Sequence, residues 1–220
     1  MANFFPRWTN ILPLKVVVCG GFAAAAIVAG VTYYFTPEYT RVGYMPSQPV
    51  PFSHDIHVTQ LGMDCRYCHT QVEVSGHSNV PTTQTCISCH GENKVQWESP
   101  KLEAVRNSWS TGLPIMWDRI HKAPDYAYFN HAVHVNRGVS CVSCHGNVDQ
   151  MPVVYQAESQ SMGWCLECHR NPEPNLRPLD EVYNLTWTPT DSGLDQASLG
   201  KELVDDWHIN PPETCAGCHR

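Results

Sequence analysis

The chain is 220 residues long and carries 21 Asp and Glu against 14 Lys and Arg, a formal net charge of −7. That balance, with no basic cluster set against it, excludes nucleic acid as a partner. Its 17 prolines and 14 glycines punctuate the sequence too often for long regular elements, so the expected fold is mainly α with short helices, extensive irregular loops and little sheet.

The first element is the uncharged run VVVCGGFAAAAIVAGVTYYF at 16–35. A helix of that length crosses a bilayer core of about 30 Å. Arg7 and Lys15 precede the run and Glu38 is the first charge after it, so the positive-inside rule leaves the N-terminus cytoplasmic and the rest exported. Tyr33, Tyr34 and Tyr39 suit the outer interface. A cleaved secretory signal is the competing reading, with small residues from Ala23 to Ala26 as cleavage sites. The length of the span and its aromatic close favour a retained transmembrane helix. Cys19 is read as membrane packing, because Val18 stands where a lipoprotein signal wants a small residue. The chain then divides into a cytoplasmic tip and anchor, 1–36, and a domain on the periplasmic side of a bacterial cytoplasmic membrane, 37–220.

That domain holds five copies of Cys-x-x-Cys-His: Cys65, Cys68 and His69; Cys86, Cys89 and His90; Cys141, Cys144 and His145; Cys165, Cys168 and His169; Cys215, Cys218 and His219. Chance at this composition would supply about 0.03 copies. Two thiols three residues apart can add to the two vinyl groups of one haem, and the histidine that follows is held to ligate its iron. Structural zinc wants four ligands in paired halves, which an odd number of three-ligand clusters does not supply. A disulfide framework would scatter its cysteines, yet ten of the eleven fall inside the motif. Five covalently attached haem c groups are expected. They must supply most of the buried apolar surface of so short a domain, making it haem-cored and dependent on haem attachment for folding.

The motifs start at 65, 86, 141, 165 and 215, with spacings that alternate short and long. The first pair is introduced by PFSHDIH at 51–57 and the second by YFNHAVH at 128–134. This is an internal duplication: repeat A at 51–90, a linker at 91–127, repeat B at 128–169 and a segment at 170–220 carrying the fifth motif. Histidines three apart lie on one helical face but diverge, so one turn can present an imidazole to each of two haems. His54 and His131 are expected to serve the motif just downstream of each, His57 and His134 to reach another, and Phe52 and Phe129 to cover porphyrin faces. His121, in a Trp-rich stretch, is the candidate for the fifth distal site. His208, Met151 and Met162 are alternatives there, with core packing the competing reading for each methionine.

PFSHDIHVTQLGMDCRYCH, HKAPDYAYFNHAVHVNRGVSCVSCHG and MGWCLECHR closely resemble the pentahaem cytochrome c subunit of bacterial alternative complex III, and the repeats resemble multihaem class III cytochromes. The resemblance implies a non-catalytic electron-relay subunit of a quinol-oxidising membrane complex. It implies as partners an iron–sulfur subunit, integral-membrane quinol-binding subunits and a monohaem cytochrome c, with a soluble copper protein, a cytochrome c or a terminal oxidase as acceptor. Two other functions compete: a stand-alone membrane-anchored multihaem quinol dehydrogenase, and a catalytic multihaem reductase. The first kind lacks the duplicated Phe-x-His-x-x-His, and the second needs an open iron that the spare histidines make unnecessary.

Overall fold

A computed structural model describes residues 5–35 and 41–219. The chain falls into two compact units, 1–40 and 41–220. In the first, a 3-10 turn over Arg7–Ile11 leads into helix α1, Leu12–Phe35. Pro13 sits in its first turn, where the missing N–H costs nothing. The helix is about 36 Å long at 1.5 Å per residue and is apolar enough to span a membrane, a length and composition that an anchor and an export signal share. Tyr33 and Tyr34 close it edge to face, while Glu38 and Tyr39 lie outside the described residues.

The second unit is helical, with eight short helices and no strand among the described residues. They are α2, Cys65–Cys68; α3, Thr83–His90; α4, Glu103–Thr111; α5, His131–Val135; α6, Val142–His145; α7, Met162–Arg170; α8, Gln196–Trp207; and α9, Cys215–Cys218. Two isolated bridges, Ala127 with His219 and Val139 with Leu176, tie distant loops together.

Among the described residues no single apolar core forms. Leu176, Trp187, Leu199 and Leu203 make one cluster, Val50, Ile87 and Val105 a second, and Val72, Val135 and Val182 a third. A chain with three small clusters has too little side-chain burial of its own to offset the entropy of ordering its loops. Helix α8 is the largest piece of conventional packing. Asp195 caps it by accepting from the Ser198 N–H at 3.0 Å, and Gly200 lets it lie on the backbone of Glu173, where any Cβ would collide with the carbonyl.

Candidate haem-binding centres

Each Cys-x-x-Cys-His motif lies on one helical turn or at the end of a short helix, so its two thiols share a face with the histidine just beyond. The N–H groups of His69, His145 and His219 donate to the carbonyls of Cys65, Cys141 and Cys215 at 2.8–2.9 Å. Asp64 caps α2 from the Arg66 N–H at 2.8 Å, and Ser161 caps α7 from the Trp164 N–H at 3.3 Å. No disulfide joins any of the ten motif cysteines. Burial is greatest at Cys141 and Cys144 and pushes these thiols up to about 11 and about 12.

Four motif histidines face a second imidazole. Ring centroids are 6.5 Å apart for His54 and His69, 6.1 Å for His57 and His90, 6.4 Å for His131 and His145, and 6.1 Å for His134 and His169. Two imidazoles bound through Nε2 to opposite sides of one metal, with bonds of about 2 Å, place their centroids about 6 Å apart. The spacing is that of two imidazoles sharing one iron. The first and third pairs are nearly parallel, at 6° and 9°.

The Nδ1 atoms complete the fit. Carbonyls lie 2.7–3.1 Å from Nδ1 of His57 (Ser53), His69 (Asn79), His90 (Val95), His131 (Gly76), His134 (Asn130), His169 (Pro212) and His219 (Tyr126). A carbonyl only accepts, so Nδ1 carries the proton and Nε2 keeps its lone pair for a metal. Burial favours the neutral ring at four positions: it lowers His131 and His134, and pushes His54 down to about 4 and His145 to about 3. Nδ1 of His54 is buried and has no hydrogen-bond partner among the described residues.

The two clamps reach the same ring geometry from different backbones. In repeat A the histidines flank the start of a π-helical turn, Asp55–Gln60, whereas in repeat B they lie on α5, capped by Asn130. Phe52 stacks on His57 at 4.4 Å and meets His54 edge-on at 4.9 Å; Phe129 repeats this with His134 at 4.5 Å and His131 at 4.7 Å. Each phenyl ring thus packs against both imidazoles of its own clamp.

The fifth motif is arranged differently. Its His219 is held by Tyr126, whose ring lies 5.7 Å away at a tilt of 37°, and the Tyr128 N–H donates to the Cys218 carbonyl at 2.8 Å. Among the described residues no histidine faces His219 at the spacing of the four pairs. His121, expected there, instead puts Nε2 3.3 Å from Nδ1 of His145, ring edge to face. Its Nε2 is thus engaged at the third motif. Met151 is buried, its carbonyl accepting from the His54 N–H at 3.1 Å, which is packing at the junction of the repeats. Met162 is exposed at the start of α7, and His208 ends α8 in a left-handed conformation at φ 51°.

Shared contacts also connect the motifs. The first clamp joins the first and second motifs, and the second clamp joins the third and fourth. Gly76, in the loop that also supplies Asn79 to His69, accepts from both the N–H and Nδ1 of His131, while Ser75 accepts from the Ala132 N–H. Pro212, just before the fifth motif, accepts from His169, and Arg170 pairs with Glu213 at 3.3 Å. The order of adjacency is second, first, third, fourth, fifth.

The helical, haem-motif-rich fold with its paired imidazoles defines a multihaem cytochrome c, which binds c-type haem covalently and transfers electrons. A family model described as "Cytochrome c7 and related cytochrome c" matches residues 50–107 and 127–220, and the chain belongs to that family. It is 28% identical over 180 residues to the menaquinone reductase multihaem cytochrome c subunit of Nitratidesulfovibrio vulgaris, covering 70% of this chain and 83% of that one. It is 26% identical over 92 residues to the acrylate reductase cytochrome subunit of Shewanella woodyi, covering 42% and 59%. Cytochrome c-552 of Maridesulfovibrio salexigens is 23% identical over 197 residues, covering 69% of this chain and 39% of that protein.

Backbone acceptors such as Gly76 and Pro212 leave no trace in sequence, because any residue but its neighbours' geometry could supply the carbonyl. The engagement of His121 with His145 was likewise invisible, since a lone histidine outside the repeats carries no periodic signal.

Proposed function

We propose that this chain is the relay subunit of a quinol-oxidising membrane complex of the alternative complex III type, anchored by α1 and carrying five haem c groups on the periplasmic side. The observation that carries it is the set of four imidazole pairs at 6.1–6.5 Å, each joining a motif histidine to a clamp histidine. His69 with His54, His90 with His57, His145 with His131 and His169 with His134 would each hold one haem iron between them, and His219 would be the motif ligand of the fifth. Bound haem iron supplies one-electron chemistry by cycling between its ferric and ferrous states. The protein fixes every ligand ring except that of His54 through Nδ1, which keeps Nε2 free for iron, and two imidazoles at each of four motifs would leave no open position there for substrate. The adjacency of the motifs gives the relay one file, with the second and fifth motifs at its ends. Met162 and His208 are the remaining candidates opposite His219, since His121 is engaged elsewhere and Met151 is buried in packing.

The partners on this reading are the iron–sulfur, quinol-binding and monohaem subunits of the complex, with a soluble copper protein, a cytochrome c or a terminal oxidase as acceptor. A second reading runs the same relay in the opposite direction, towards the quinone pool; it is favoured by the relative described as a menaquinone reductase subunit. Purification from the native membrane tests both. Co-purifying iron–sulfur and polytopic subunits with quinol oxidation support the first, quinone reduction by a reduced periplasmic donor supports the second, and solitary purification with intact quinol oxidation rejects both.

A further inference from the structure

We propose that His121 is a positioning residue for the third motif: it accepts the Nδ1–H of His145 and so sets the potential of that one haem through a side chain. The inference rests on His145 being an iron ligand, as read above. Of the nine histidines in the motifs and clamps, seven have Nδ1 against a backbone carbonyl at 2.7–3.1 Å. At His145 the partner is Nε2 of His121 at 3.3 Å, with the two rings at 83° and 4.3 Å apart, a geometry that aims one ring's edge at the other's nitrogen. The Arg119 side chain donates to the His121 carbonyl at 3.1 Å and holds this backbone in place.

The chemistry differs from that of the other sites. A carbonyl is a fixed strong acceptor that draws the Nδ1 proton and raises the basicity of Nε2 towards iron. A neutral imidazole at 3.3 Å accepts over a longer and weaker bond. His145 is therefore the weaker electron donor among the motif ligands, which favours ferrous iron at the third motif. That motif is also the middle of the file, so this contact acts on the step that both ends share.

The test is a spectroelectrochemical titration of the haem-loaded protein with two variants, His121→Leu and His121→Gln, alongside electron paramagnetic resonance. Leu removes the acceptor, and one of the five transitions should move to higher potential while the other four stay. Gln restores an acceptor and should return that transition towards the wild-type value, with all haems low-spin. Five unchanged transitions in the Leu variant would overturn the proposal. So would a new high-spin signal in the Gln variant, which would make His121 an iron ligand itself; this second result applies even where the Leu variant does not assemble. Intact mass separates a failure here from a failure of the relay reading, since a chain without five haems has lost the latter.

Discussion

The ring of His134 lies 6.1 Å from that of His169, although the motif nearer to it in sequence is the one ending at His145. Its neighbour three residues back, His131, takes His145 instead, at 6.4 Å. One turn of α5 therefore addresses two motifs, and the turn at 54–57 does the same in repeat A.

The clamp makes a countable prediction. His131→Ala and His134→Ala should each leave five covalent haems by mass and produce one high-spin ferric signal, and the double variant should produce two. Loss of both low-spin sites in either single variant would mean that the two histidines act on the same haem.

Removal of a thiol at the most buried motif should be severe. Cys144→Ala is expected to cost one haem and, because the porphyrin replaces an apolar core here, the fold of repeat B as well. Intact mass reads the first effect and protease sensitivity the second.

Gly138 tests the turn between α5 and the third motif. Its φ is +78°, and a Cβ would meet the Arg177 carbonyl at 2.5 Å and Cζ3 of Trp207 at 2.7 Å. Gly138→Ala combines backbone strain with a backbone clash, so we expect a loss of about 3 kcal/mol in urea denaturation. A loss below about 0.5 kcal/mol, the range of an ordinary surface change, would show that the turn relaxes freely.

Asp64 gives a pH dependence. Its carboxylate accepts from Arg66 at 2.7 and 2.9 Å, and this bond holds it below the ordinary value of 3.8. The folded chain therefore binds the proton more weakly than the unfolded one. The contribution is present above that ordinary value and is lost as pH falls through the lowered one. Asp64→Asn keeps the helix cap and removes the charge, so it should lower stability at neutral pH by no more than about 0.5 kcal/mol, because the pair is exposed. The deficit should shrink as melts are taken progressively below the ordinary value of 3.8, and one that stays constant would assign the effect to capping.

The helical class and the family were legible in sequence because covalent haem attachment needs fixed residue types at fixed spacing. Repetition of Phe-x-His-x-x-His also singled out His54, His57, His131 and His134, the four residues that face motif histidines. What could not be read was anything carried by backbone. The carbonyls of Asn79, Gly76 and Pro212 hold ring nitrogens through loop geometry, and Asn79 does so from a left-handed conformation at φ 60°. His121 points to the fifth distal site in sequence because it closely precedes repeat B in a Trp-rich stretch, and sequence distance gives no hint that its Nε2 is used by His145. The fifth motif itself stands outside the duplication, so nothing in repeats A and B predicted that the backbone of Tyr126 would hold it.

Gly76 and Ser75 belong to repeat A, yet they receive the first two N–H groups of α5 and the Nδ1 proton of His131. The duplicated halves are thus not exchangeable modules. A fragment holding only repeat B would start its clamp helix without acceptors and leave one ligand ring free to rotate. Because 75–76 precede 131–132 in the chain, the mooring is synthesised before the turn that ties up to it, so maturation of the downstream pair inherits any error made in the upstream one.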